Sequence, residues 1–114
     1  MSVAVQAPPL WQLLQHTAAA VQATLAGKSL TAQLEAVPAT LRPGVQALSF
    51  QVMRQLGRAR ALRALLASRK PPAAVDALLC TALALCWDEA QAPYPGHTLV
   101  SQAVEAARRQ RQTQ

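Results

Sequence analysis

The sequence predicts an all-α fold, a bundle of about five to six helices. The 114 residues suit one core and include 25 Ala and 17 Leu, both strong helix formers. Sheets favour Ile, Val and aromatic residues, yet this chain has no Ile, 9 Val and only 4% aromatic residues. Prolines and glycines divide the chain into segments whose apolar residues recur at helical spacing. We expect a flexible N-terminus over residues 1–9, the helical domain over 10–110 and a frayed tail over 111–114.

The first two helices are predicted from their end signals. The first runs from about Pro9 to Ala26, and Gly27 follows it at a position where glycine often ends a helix. The second runs from about Ser29, a favourable N-cap, to Val37. Pro38 cannot continue a helix, so the second helix is expected to end there.

The third segment, from about Pro43 to Ser68, changes its apolar direction partway along. At 100° per residue, the two apolar stripes point about 80° apart. Gly57, the weakest helix former of this stretch, lies at the change, so we expect a kink there or two abutting helices. The first stripe is Val45, Leu48, Val52 and Leu56, and the second is Ala59, Leu62, Leu65 and Leu66.

The fourth segment, which begins after Pro71-Pro72, is apolar around most of its circumference, so it is predicted to be the central and most buried helix. A loop with two prolines follows over residues 92–96. The last helix is predicted from about His97 to Gln110. Its expected buried stripe is Leu99, Val100, Ala103, Val104 and Ala107.

The charges are segregated along a chain whose net charge is +6. No acid occurs from Ala36 to Val75, and no base occurs from Pro71 to Ala107. Arginine forks bind phosphate through two hydrogen bonds, so the basic clusters indicate nucleic-acid binding, although a solvated surface is the alternative. On the helical wheel Arg54, Arg60 and Arg63 are expected to be exposed. The candidate phosphate contacts are Arg54, Arg58, Arg60, Arg63, Arg69 and Lys70, with Arg108, Arg109 and Arg111 as a second patch.

No catalytic or metal-binding motif is recognised, so these 114 residues are not expected to be an enzyme or to hold a cofactor. Cys80 and Cys86 are expected to be buried, inert thiols, because their spacing prevents a disulfide within one helix. The adjacent acids Asp88-Glu89 are expected to face solvent. The aromatic residues Trp11, Phe50 and Trp87 are expected to pack in the core.

The chain is expected to be cytoplasmic, without membrane association. Its first residues, Met1 to Leu10, lack the charge and the apolar run of a signal peptide. The longest near-apolar run, Ala77 to Trp87, has 11 residues and is too short to span a bilayer.

The last helix carries a motif. Residues 95–108, PGHTLVSQAVEAAR, resemble the P-x-H-x-x-V-(N/S)-(E/Q)-x-V-E-x-A-(K/R) helix of NusB-like RNA-binding domains. The version at the N-terminus of RsmB/Sun-type 16S rRNA cytosine-5 methyltransferases is the most similar. Residues 26–30, AGKSL, with Leu34, are similar to a first turn of the family, and residues 52–66 to its V-L-R-x-x-x-x-L-x-x-L-L stretch.

This resemblance implies a non-catalytic helical domain that binds RNA, here 16S rRNA, ahead of a methyltransferase domain that uses S-adenosylmethionine. The alternative is a stand-alone antitermination-factor relative that binds RNA and ribosomal protein S10. A plain protein-interaction module is the third possibility. Only Arg54, Arg63 and Arg108 fall where the family pattern is basic.

The chain departs from the family at three places. Its first helix begins Leu10-Trp11-Gln12 without arginine, and neither the family's closing helix nor its methyltransferase domain follows Gln114. The expectation is therefore a truncated N-terminal domain or a stand-alone relative. Without the closing helix, an apolar groove is expected to be exposed.

Overall fold

The computed structural model describes residues 7–87, 90 and 92–112, and over these it is built of helices without strands. Five helices follow one another along the chain, which confirms the all-α prediction. They are α1 (Leu10–Leu25), α2 (Leu30–Glu35), α3 (Arg42–Leu66), α4 (Ala73–Cys86) and α5 (Gly96–Gln112). Residues 1–6 of the expected flexible N-terminus, the acids Asp88 and Glu89, and residues 113–114 of the expected tail lie outside the described residues.

The turns after α1 and α2 follow the sequence signals closely. Gly27 has φ +97°, a conformation that glycine adopts without strain, and it reverses the chain after α1. Ser29 caps α2, since its Oγ accepts a hydrogen bond from the Ala32 N–H at 3.3 Å. The last carbonyl oxygens of a helix lack hydrogen-bond donors within the helix. At the end of α2 the Arg42 guanidinium supplies such donors, because it donates to the carbonyl oxygens of residues 34, 35 and 37.

α3 is one continuous helix of 25 residues, so the expected division into two abutting helices at Gly57 is wrong. The second apolar stripe is also not used as expected. Of this stripe Ala59 is buried, but Leu65 and Leu66 are 83% and 69% exposed, whereas Val45 and Val52 of the first stripe are buried. The first stripe keeps its direction against the core, because α4 and α1 both pack along that side of α3.

α4 lies at the centre of the bundle, a position that it shares with α1, which packs against all four other helices. α4 packs against α1, α3 and α5, and Leu78 and Leu85 lie almost entirely within the core. α3 and α4 are antiparallel, because Arg63 contacts Asp76 near the loop while Arg58, earlier in α3, contacts Trp87 beyond the end of α4.

α5 packs on α1 through polar contacts as well as apolar ones. The backbone N–H of Trp11, in the first turn of α1, donates to Gln102 Oε1 at 3.0 Å, and Gln15 Nε2 donates to the Ala106 carbonyl at 3.0 Å. The expected stripe is partly wrong, since Val100 and Val104 are 54% and 63% exposed. Leu99, Ala103 and Ala107 of that stripe face the core as expected, and Ala106 joins them.

Candidate nucleic-acid interface

The outer side of α3 brings exposed arginines and an exposed aromatic ring together. Phe50, Arg54 and Arg58 are spaced four residues apart, so they follow one another along one helical face over about 12 Å. This face points away from the core-facing stripe that contains Val52. Neither arginine has an acidic partner at ion-pair distance among the described residues.

Trp87 extends this arginine face onto the end of α4. The Arg58 guanidinium lies over its ring, 5.4 Å from the centroid. At this distance the cation is attracted by the ring's electrons, and the contact holds both side chains at the surface. We call Phe50, Arg54, Arg58 and Trp87 the aromatic–arginine face.

The exposure of these two aromatic residues corrects the sequence prediction. Phe50 is 47% and Trp87 is 43% exposed, whereas Trp11 packs against the core as expected. Phe50 was placed in the core because it is apolar, although its spacing of four residues before Arg54 already put it on the polar side of α3. No sequence signal places Trp87 beside Arg58, since that contact depends on how α4 returns along α3.

Arg63 is also placed differently from the prediction. Its side chain is only 17% exposed, and Nε lies 2.9 Å from Asp76 Oδ1, at ion-pair distance. The expected exposure of Arg63 is therefore wrong. It lies on the core-facing side because it is 18 residues, or five full turns, beyond Val45. Its contact with phosphate stays a prediction, for which RNA would have to compete with Asp76.

The remaining basic residues of this region are exposed, as predicted. Arg60 lies on another side of α3 from Arg54, beside a groove between α1 and α4. Lys70 reaches the same groove from the α3–α4 loop, and Arg69 precedes it in that loop. The exposed basic residues between Arg54 and Lys70, which are close together in the sequence, are thus divided between the aromatic–arginine face and the mouth of this groove.

In the second basic patch, on α5, a single acid, Glu105, pairs with two of the three arginines. Glu105 accepts hydrogen bonds from Arg108 at 2.7 Å and from Arg109 at 2.8 Å. These hydrogen bonds hold the pKa of the Glu105 carboxyl below its ordinary value. Arg109 also lies 4.1 Å from the centroid of the Trp11 ring, which ties the end of α5 to α1. Arg111 is exposed.

The motif of the last helix has mainly structural contacts in this chain. Gln102 accepts the Trp11 N–H and so satisfies a donor in the first turn of α1. Glu105 and Arg108 pair with each other along α5. These contacts explain why an α5 that packs on α1 needs such residue types at Gln102, Glu105 and Arg108.

The cysteines have the properties expected of inert thiols. Cys80 is buried in α4, and burial raises the pKa of its thiol, with the nearby Asp76 carboxylate adding to the increase. Burial likewise raises the pKa of Cys86. A thiol with a raised pKa is mostly protonated near neutral pH and is a poor nucleophile.

The described residues contain no group of three or more His, Cys, Asp or Glu side chains that could hold a metal ion. Within the same residues, no helix has the length and apolar character needed to cross a membrane.

Comparisons of the chain with protein-family models, with curated proteins and with solved structures find no match. The side chains described above are therefore the basis for any functional proposal.

Proposed function

We propose that this chain is a non-catalytic RNA-binding domain that contacts RNA through the aromatic–arginine face. The observation that supports this most strongly is the exposure of Arg54 and Arg58, without acidic partners among the described residues, between the exposed rings of Phe50 and Trp87. The two half-exposed rings and the two arginines form one surface that combines stacking groups with positive charge. A surface with arginines beside aromatic rings suits RNA, because arginine side chains bind phosphate groups and aromatic rings stack on bases.

Further phosphate contacts are proposed at the other exposed cations. Arg60, Arg69 and Lys70 extend the positive surface from α3 into the α3–α4 loop, and Arg111 adds one cation on α5. Contacts of this kind position RNA by its backbone, while unpaired bases supply the surfaces for stacking. Arg108 and Arg109 take part only if RNA displaces them from Glu105.

A finer form of the proposal rests on the motif of the last helix. In it, the chain is the N-terminal domain that positions 16S rRNA for a cytosine-5 methyltransferase in the cytoplasm, and S-adenosylmethionine binds a following domain. The alternative is a stand-alone antitermination-factor relative that binds RNA together with ribosomal protein S10. Retention of S10 by the pure chain, compared with retention of a 16S rRNA fragment, distinguishes the two forms.

RNA binding is tested by fluorescence anisotropy with a labelled 16S rRNA fragment at several salt concentrations. We expect Arg54→Gln and Arg58→Gln each to weaken binding and to reduce the slope of log affinity against log salt by about 0.7–0.9, the value for one lost phosphate contact. Lys28→Gln is the matched control, because Lys28 is an exposed cation in the turn between α1 and α2, outside the proposed interface.

Stacking is tested at Trp87. Trp87→Phe keeps an aromatic ring and is expected to bind nearly as well as the original chain, whereas Trp87→Leu is expected to lose about tenfold in affinity. If Arg54→Gln and Lys28→Gln have the same effect, binding depends on net charge alone and the aromatic–arginine face is not the interface.

A protein-interaction module is the second candidate, and α5 favours it. Val100 and Val104 are one turn apart and both exposed, so they form an apolar strip on the outside of the bundle. If this strip binds a second copy, the chain self-associates, and Val100→Ser with Val104→Ser restores a monomer. Sedimentation of the original chain as a monomer at high concentration contradicts self-association through α5.

A further inference from the structure

A groove at one end of the bundle is separate from the aromatic–arginine face. It has a volume of about 350 Å³ and lies between the last turns of α1, the middle of α3 and the first turns of α4. Val21 and Leu56 are buried at its floor, and Leu25, 52% exposed, forms one wall. The groove exists because Ala73 and Ala77 of α4 and Ala26 after α1 have side chains too short to fill it.

The charges around the groove are positive. Arg60 and Lys70 line it from α3 and from the α3–α4 loop, and neither has an acidic partner at ion-pair distance among the described residues. The acid in its wall, Asp76, is already paired with Arg63 at 2.9 Å. A negative group entering the groove therefore meets two available cations and one neutralised carboxylate.

We propose that this groove binds a small amphiphilic anion. Its apolar part would lie against Val21, Leu25 and Leu56, and its anionic head between Arg60 and Lys70. Small-molecule sites are typically concave, mostly apolar and supplied with a few orienting polar groups, and their volumes begin at about 300 Å³. The low volume favours a single short chain over a helix of a partner protein. This site goes beyond RNA binding, and it shares Arg60 and Lys70 with the proposed phosphate contacts, so RNA and the anion would compete for these two cations.

The proposal is tested with octanoate as the probe, followed by the backbone amide signals of the isotopically labelled full chain in NMR spectra. We expect saturable shifts at Val21, Ala26 and Ala77. Octanol, which has the tail without the charge, and acetate, which has the charge without the tail, are expected to bind much more weakly. Octyl phosphate in the same titration shows whether a carboxylate or a phosphate head is preferred.

Variants locate the site. Arg60→Gln and Lys70→Gln are each expected to weaken octanoate binding about fivefold, since each removes one exposed ion pair. Arg54→Gln removes an exposed cation on another side of α3 and is expected to leave octanoate affinity unchanged. Ala73→Leu, at an exposed position in the first turn of α4, is expected to fill the groove and abolish binding while the circular dichroism spectrum stays helical.

Three results overturn the proposal. The first is the absence of saturable shifts with octanoate and with octyl phosphate. The second is equal binding of octanol, which shows that the cations play no part. The third is octanoate binding that persists unchanged in Ala73→Leu, which places the ligand outside this groove. RNA affinity is measured separately, so loss of one activity does not decide the other.

Discussion

The pair of Arg63 and Asp76 separates a structural arginine from the arginines proposed to bind RNA. Both side chains are 17% exposed, so the pair is closer to a buried ion pair than to a surface one. Exposed pairs contribute about 0–1 kcal/mol, while loss of one partner of a buried pair costs about 3–5 kcal/mol. We therefore expect an intermediate cost of about 2 kcal/mol in the free energy of unfolding for Asp76→Asn, which leaves the Arg63 charge unpaired.

Arg63→Met is expected to cost less than Asp76→Asn. Asp76 lies in the first turn of α4, where the helix dipole stabilises a negative charge by about 0.3–1 kcal/mol, so its carboxylate keeps one favourable interaction without Arg63. Among the described residues, the Arg63 guanidinium has the neutral Cys80 thiol as its other contact, which does not balance its charge. The double variant, Arg63→Met with Asp76→Asn, leaves no unpaired charge. Its loss in the free energy of unfolding is therefore expected to be at least about 1 kcal/mol smaller than the sum of the losses in the two single variants.

The assay is urea unfolding followed by circular dichroism, on the original chain, both single variants and the double variant. RNA affinity is measured on the same four proteins. We expect Arg63→Met to lower stability and to change RNA affinity no more than the control Lys28→Gln does. Additive costs in the urea series would show that the ion pair has no energetic coupling. Loss of RNA affinity equal to that of Arg54→Gln would show that Arg63 leaves Asp76 for phosphate.

Three further predictions concern single side chains. Ser49 is fully buried and its Oγ has no hydrogen-bond partner among the described residues, so Ser49→Ala is expected to raise the free energy of unfolding by about 1 kcal/mol, measured by urea unfolding. The pKa of the Glu105 carboxyl is lowered in the folded chain. Glu105 therefore stabilises α5 fully at pH values above 4.5, the ordinary pKa of the carboxyl, and this stabilisation is lost as the pH falls through the lower pKa of the folded chain. An acid titration of helicity is expected to show this loss in the original chain and not in Glu105→Gln. The Cys86→Ser variant leaves Cys80 as the reacting thiol, and the raised pKa of Cys80 predicts that a thiol reagent modifies it slowly at neutral pH. The modification rate is expected to rise at a higher pH than it does for a free thiol. Fast modification at neutral pH would contradict this prediction.

The number and order of the helices could be predicted because their signals are local. Gly27 and Ser29 act through their own backbone conformation and their nearest turns, so their roles are readable without knowledge of the rest of the chain. The continuity of α3 could not be predicted in the same way. A glycine weakens a helix by only about 1 kcal/mol. The packing of α3 against both α1 and α4 is a tertiary contribution that the local sequence signal does not contain.

The exposure of individual side chains on α3 could likewise be predicted only in part from local sequence signals. Periodicity gives the direction of an apolar stripe, but not whether another helix is present to cover it. Leu65 and Leu66 have a clear apolar direction, yet they lie at the end of α3 and remain exposed. Arg63 could have been found, since five full helical turns separate it from the buried Val45. The expectation that Arg63 is exposed depends on a second stripe that faces the core, and Leu65 and Leu66 of that stripe are exposed instead.

The ion pairs also limit how much RNA binding the basic residues can provide. Of the nine candidate phosphate contacts, Arg63, Arg108 and Arg109 already have acidic partners. If the other six all contact a duplex, log affinity should fall with log salt with a slope of magnitude about 5, whereas all nine would give about 8. A measured slope near 8 would mean that RNA displaces Asp76 and Glu105 from their arginines. In that case Asp76→Asn and Glu105→Gln should strengthen RNA binding, because each releases a cation that the folded chain otherwise holds.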